Sequence, residues 1–334
     1  MKIRDNCYQY YFYFLQERMD IFWKRYENKN YPFSNDFIFI NYKFTNVYRS
    51  TDRVSQYLIR NVIYNERNSW LNEEDILLRI LLFKIFNKIE TWEYLEEKFG
   101  MITFRNFNPD KISKCLSERI LKQPIFNSAY MMTGTHHEYS QFESKHEKWL
   151  NMLNNEFIRN KKLKKVIKAK SLEEIYNILR SCAFLGDFLS YQYTIDMNYS
   201  NIIDFDENSF VKAGIGSIRG IKKCFSDLQG YTYEDAIRYT LDNLNIYQEK
   251  YGFNKFRNLF GREPKLIDLQ NCFCETDKYL RAKMPELRID NVRIKQKFRQ
   301  PKALLHLFFP PKWNINSNCQ RLCSTKNMRE LILF

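Results

Sequence analysis

The stretch Asp204–Phe225, DFDENSFVKAGIGSIRGIKKCF, decides how the rest of the chain is read. An acidic approach with alternating apolar residues leads into Ala213-Gly214-Ile215-Gly216, and a basic, helix-like run from Ser217 to Phe225 follows. Two glycines around one aliphatic residue permit a turn too tight for side chains. The first N–H groups of a helix have no intrahelical acceptor, and the helix dipole favours an anion there. Arg219, Lys222 and Lys223 stand just behind that start. The segment therefore fits a helix-hairpin-helix-like grip on a nucleic-acid phosphate, with Gly214, Gly216, Arg219, Lys222 and Lys223 in contact. It also fits a plain packing corner between two helices, or a nucleotide loop.

Composition narrows the classes. A chain of 334 residues can bury a sizeable core, as one large helical domain or two smaller lobes. With 44% apolar and 17% aromatic residues it is too apolar for a disordered chain. A net charge of +14 favours a polyanionic partner, DNA foremost. Part of that surplus belongs to a general richness in Lys, Asn, Ile, Tyr and Phe. An anionic membrane surface would need a concentrated basic amphipathic segment, and no uninterrupted apolar run reaches the length of a membrane span. No membrane partner is expected. The charged, tyrosine-rich start lacks a signal-peptide pattern, so the expected location is intracellular: the nucleus in a eukaryote, the cytoplasm otherwise. Most cysteines stand singly in apolar runs, as small hydrophobes. Cys272-Phe273-Cys274 has the wrong spacing for a zinc pair, and Cys319 with Cys323 lacks a second pair, so no metal is expected.

Residues 5–30 read as an aromatic-rich helix within an N-terminal extension, 1–36. Phe37–Ile40 reads as a short alternating or extended piece opening the main helical domain, 37–313; residues 314–334 read as a loose tail. In FTNVYRSTDRVSQYLIR (44–60), a helix aligns Val47, Val54, Leu58 and Val62 as an apolar stripe. Arg49, Arg53, Gln56 and Arg60 fall on another face. That face fits contact with phosphates or base edges, with Asp52 orienting an arginine and Asn46 in the cleft; a solvated polar face is the plain alternative.

Further on, Asn72 caps an apolar helix that should be buried on all sides. Gly100 closes the next helix, Asn108-Pro109 opens another, and Ser171 to Glu174 forms a capping box. His136, His137 and His146 lack metalloprotease spacing and read as a surface cluster. The basic runs 159–170 and 288–302 fit either a DNA backbone or a solvated face. In FLGDFLSYQYTIDMNY (184–199), Gln192 and Asp196 lie on one side of an apolar helix. Such groups need partners or a cleft, and a cleft is expected.

The densest chemistry is KLIDLQNCFCETDKYLR (265–281). A helix there puts Asp268, Asn271, Glu275 and Lys278 on one face. The row fits a catalytic set of Asp268, Glu275 and Lys278, with Gln270 and Asn271 in the cleft. An internal ion network is the plain alternative.

Six segments carry a resemblance: FTNVYRSTDRVSQYLIR (44–60), LFKIFNKIETWEYL (82–95), FLGDFLSYQYTIDMNYS (184–200), FDENSFVKAGIGSIRGIKKCF (205–225), LIDLQNCFCETDKYLRAKMP (266–285) and FPPKW (309–313). In this order they resemble the helical domain of 5-hydroxymethyluracil DNA kinases and their relatives in thymine hypermodification systems. The resemblance implies an all-α, multi-helix fold, similar in outline to helix-hairpin-helix DNA glycosylases. It implies a DNA-binding protein that recognises or processes a 5-hydroxymethyluracil-type pyrimidine. A kinase needs a glycine-rich loop ending in Lys-Ser/Thr, and Gly214-Ile215-Gly216-Ser217 lacks the lysine. Autonomous phosphorylation and a bound cofactor are therefore not expected, and a separate kinase or transferase is the implied partner. The glycosylase likeness implies an aspartate that stabilises charge on the sugar as a flipped base leaves. Asp268 is the candidate, provided that 230–262 is an insertion. Ser217-Ile218-Arg219 stands where a bifunctional glycosylase has its lysine, which disfavours a Schiff-base lyase. Monofunctional base excision and a non-enzymatic scaffold in a DNA-modification complex are the alternatives.

Overall fold

A computed structural model describes residues 1–128, 132–287, 289, 297–298 and 306–320. Helix α1 (Asp5–Tyr26) is followed by α2 (Phe37–Asn41) and α3 (Arg53–Tyr57). Next come α4 (Glu73–Phe86), α5 (Ile89–Phe99), α6 (Pro109–Ile120) and α7 (Lys145–Met152). Then follow α8 (Lys162–Lys168), α9 (Leu172–Arg180), α10 (Asp187–Asn198) and α11 (Ile215–Cys224). The described chain ends with α12 (Tyr233–Asp242), α13 (Leu244–Lys250), α14 (Leu266–Lys283) and α15 (Asn316–Gln320). The fold is all-α, apart from an antiparallel ladder that pairs β1 (Lys2–Ile3) with β2 (Phe225–Asp227).

Local signals in the sequence set many of these boundaries. Asn72 and Asp75 form a reciprocal cap on α4, and Asn87 ends that helix in the left-handed conformation. Gly100 closes α5 at φ 66°, and the Asn108 side chain caps α6. Phe37–Ile40 is helical rather than extended, because Asp36 accepts the Ile38 N–H and starts α2. Helix α1 is no appendage. Tyr8, Tyr11, Phe12 and Leu15 are wholly buried, and Tyr11 packs its ring 4.3 Å from that of Phe273 on α14.

The glycine segment is not a tight turn between two helices. Residues 201–214 are non-helical, and Gly214 caps α11 in extended backbone at φ −82°. The glycines instead let α11 lie close against α14. A Cβ on Gly216 would sit 2.3 Å from Cys274 Sγ, and one on Gly220 would sit 2.0 Å from the Phe273 carbonyl oxygen. Small residues on one helix face permit that approach.

Segment 44–60 departs from the expected single helix. Arg49–Thr51 is a 3₁₀ turn, Asp52 is extended (φ −71°, ψ 145°), and α3 runs on into a π-helical turn at Leu58–Ile63. Asn46 and Asp52 cause the break. The Asp52 side chain accepts the Asn46 N–H, and the Asn46 amide donates to the Thr51 carbonyl. His146 is buried among Ser113, Ser117 and Ser144 rather than at a surface cluster. Part of the expected tail is packed, with Ile315 and Cys319 buried. Residues 321–334, and most of the basic strip 288–302, lie outside the described residues.

Candidate functional site

The site is built on the 3₁₀ turn at Arg49, which α10 and α14 hold from two sides. The Arg49 N–H donates to Asp268 Oδ1 at 2.9 Å. Its guanidinium donates through Nε to Gln192 Oε1 at 2.8 Å, and through Nη1 to Asp196 Oδ1 at 2.7 Å and the Tyr199 hydroxyl at 3.1 Å. From α4, Lys84 Nζ reaches Asp196 Oδ2 at 3.2 Å and donates to Asn87 Oδ1 at 2.8 Å. Asp196 is fully buried between two cations. Burial pushes its carboxyl up, but Arg49 and Lys84 outweigh that and hold it below the ordinary carboxylate value. Burial also pulls the Lys84 ammonium down to about 8, against the attraction of Asp196.

The polar row on α14 forms as its spacing predicts, and it faces residues 45–49. Asn271 Nδ2 donates to Thr45 Oγ1 at 3.1 Å and to the Asn46 carbonyl at 3.2 Å. Glu275 accepts the Thr45 N–H at 3.2 Å and the Lys278 ammonium at 2.6 Å. Asp268 also accepts the Lys265 N–H at 3.0 Å, as a cap on the first turn of α14. Arg18 of α1 closes the other side, donating to the Thr45 carbonyl at 3.0 Å and to Asn46 Oδ1. Burial raises the Asp268 carboxyl to about 6, although the Lys265 and Arg49 N–H groups oppose it. Burial likewise raises Asp52 to about 6, against the Asn46 N–H and the charge of Arg18.

Arg49, Gln192, Asp196 and Asp268 thus converge, with Asn46, Asn271, Glu275 and Lys278 in the adjoining row. The meeting place is an interior hub rather than an open cleft: Arg49 and Gln192 are each 7% exposed, Asp268 5% and Glu275 1%. Arg49 is therefore not a free phosphate contact. Lys223 is not one either. It is fully buried and paired with Asp277 at 3.0 Å, and Arg281 lies 3.1 Å from the same carboxylate. Gln56 ties the Ser50 carbonyl to the Phe308 N–H. Gln270 donates to Ser217 Oγ at 3.0 Å, joining α14 to the glycine segment. Lys222 and Arg53 face outward, Arg219 is partly exposed, and Arg53 lies 3.6 Å from Glu90.

Sequence reasoning missed Lys84, Tyr199, Arg18 and Asp277. Lys84 had a signal: an ammonium in a helix buried all round must find a carboxylate. The FPPKW segment also belongs to the assembly. Lys312 donates to the carbonyls of Ser200 and Ile203, and the Arg262 guanidinium lies 3.7 Å from the Trp313 ring centre while pairing with Glu207 at 2.7 Å.

An all-α protein whose separated segments are locked together by a buried arginine–carboxylate hub is the class that fold and site define. The family described as "5-hmdU DNA kinase, helical domain" matches residues 5–289, and the chain belongs to that family. It is 24% identical over 325 residues to the 5-hmdU DNA kinase of Bacillus phage SP10, covering 91% of this chain and 49% of that relative. The chain thus spans about half the length of the relative. No solved structure matches it.

Proposed function

We propose that this chain is a DNA-binding helical protein that recognises or processes a 5-hydroxymethyluracil-type pyrimidine, with any phosphoryl or group transfer supplied by a separate kinase or transferase. The observation that carries the reading is the family match over 5–289, to the helical domain of proteins named as DNA kinases. The geometry of α11 supports it. The helix begins at Ile215, which is 69% exposed, so the outer edge of its first turn, where N–H groups lack intrahelical acceptors, reaches the surface, although Ser217 two residues on is buried. Lys222 is exposed and Arg219 partly so on the same helix. On this reading the phosphate contact is a helix start rather than a hairpin. Such a contact positions DNA and carries little base discrimination.

The test is binding and product analysis with duplexes that carry 5-hydroxymethyluracil, its phosphorylated form, or thymine. Preference for one modified duplex, or a change in its base, is expected. Equal, weak binding to all three with no base change sinks the reading.

Base excision is the second reading, and Asp268 favours it. The carboxyl stands at the N-terminal turn of α14, is raised to about 6, and lies two residues from the Gln270 contact with the glycine segment. Free-base release that is lost in Asp268→Asn supports it; release that survives this change removes Asp268 from the chemistry. The scaffold reading draws on the burial of the same row. It expects Asp268→Asn and Glu275→Gln to lower stability and leave DNA affinity unchanged.

A further inference from the structure

A second feature lies on the far side of residues 45–46 from the hub. A shallow, solvent-open recess lies between the C-terminal half of α1 and the segment 31–44. Arg18 and Arg25 line it, together with the rings of Tyr31, Phe33, Tyr42 and Phe298. Among the described residues its lining holds no carboxylate. Arg18 is 8% exposed; its Nε and Nη2 are bonded to Thr45 and Asn46, and its Nη1 is buried with no partner. Arg25 makes no ion pair among the described residues, and burial pulls its guanidinium below the ordinary value. The proximity of the two charges also weighs against Arg18, whose guanidinium falls to about 10, chiefly through burial. Asp52 and Glu275 offset part of the Arg18 charge from the hub side, whereas Arg25 adds a second cation on the recess side, and an anion there would partner both Arg25 and the unbonded Arg18 Nη1. Guanidinium forks match the oxygens of a phosphate. The flanking rings supply the rest: Tyr31 and Phe298 lie within 10° of parallel, at 6.3 Å between centres, and Tyr31 is 38% exposed. Aromatic faces beside a basic groove are the usual platform for a nucleobase.

We infer that this recess binds a nucleotide, with the phosphate between Arg18 and Arg25 and the base against the aromatic rim. An acidic peptide would satisfy the arginines but leave the ring faces unused. The site is separate from α11, so the inference stands or falls independently of duplex binding.

Calorimetric titration of the full chain tests it, using thymidine 5′-monophosphate, thymidine, inorganic phosphate, and single-stranded oligonucleotides with and without a 5′-phosphate. The monophosphate should bind at least about tenfold tighter than thymidine or phosphate alone, since each supplies only half of the contacts. Arg25→Ala should weaken it about tenfold or more with the melting temperature unchanged, because the Arg25 side chain ties down no other segment among the described residues. Arg18→Ala would also release Thr45 and Asn46, so Arg25 is the informative position. A phosphorylated oligonucleotide that binds more tightly than the mononucleotide, and loses that binding in Arg25→Ala, makes the ligand a strand end. Parity between the two makes it a free nucleotide. No heat from either with folded protein, binding unaffected by Arg25→Ala, or an acidic peptide that matches the mononucleotide would each overturn the inference.

Discussion

At the scale of single residues, the chain places charge inside and surrounds it. Arg49→Ala would leave Gln192 and the Tyr199 hydroxyl without this donor and Asp196 with Lys84 alone. Breaking a buried pair in this way costs roughly 3–5 kcal/mol. Denaturant melts should show that loss, and an unchanged midpoint would mean that the hub holds nothing together. Asp52 gives a pH test. Its carboxyl is raised to about 6 in the folded protein, against about 3.9 in the unfolded chain, so between those values the folded state binds the extra proton. Its contribution to stability is therefore present at pH 4 and is lost as pH rises through 6. Asp52→Asn keeps an oxygen for the Asn46 N–H but does not titrate. The melting-temperature difference, wild type minus Asp52→Asn, should fall between pH 4 and 7; a constant difference would refute the assignment. Asp196, held below its ordinary value, works in the opposite sense and only at lower pH.

At the scale of elements, the α11–α14 contact makes a graded prediction. A methyl group on Gly216 meets the end of a side chain, Cys274 Sγ, which can rotate away. On Gly220 it meets the Phe273 backbone carbonyl, which cannot. Gly220→Ala should therefore cost about 3 kcal/mol or more, and Gly216→Ala clearly less. Equal melting of the two variants would count against the close approach. This is also where legibility divides. The caps at Asn72 and Asn108 and the row on α14 could be read from sequence, because each depends on residues three or four apart. The glycines read as a tight turn, and only the position of α14, some fifty residues away, shows that they serve close packing instead. The expected helix over 44–60 failed for a related reason. Two short polar side chains, Asn46 and Asp52, outcompeted a helical periodicity that looked continuous.

At the scale of the whole molecule, the excess of positive charge is unevenly useful. Lys223, Arg49 and Lys84 balance buried acids, so only outward groups such as Arg219 and Lys222 remain for a polyanion. DNA affinity should fall steeply with salt, and Lys222→Ala should reduce the slope of log affinity against log salt by about 1. Lys223→Ala should instead lower the melting temperature and leave the slope unchanged. A slope altered by Lys223→Ala alone would invert this reading of the surface. Burial explains why composition could not separate the two lysines: they are adjacent in sequence, yet a helix turns them about 100° apart.

Helix α14 has one further consequence. One side holds residues 45–49, a second receives the glycines of α11, a third carries Asp277 to Lys223 and Arg281, and Phe273 meets the rings of α1. Before Lys283 no residue of the helix is fully exposed, so little of it is left over to vary on its own. A lineage that alters α14 must alter a partner segment in the same step, or pass through a less stable ancestor. In divergent members of the family, changes at 268, 271, 275 and 277 should therefore travel in pairs with changes at 45, 49 and 223, while the outward cations come and go singly.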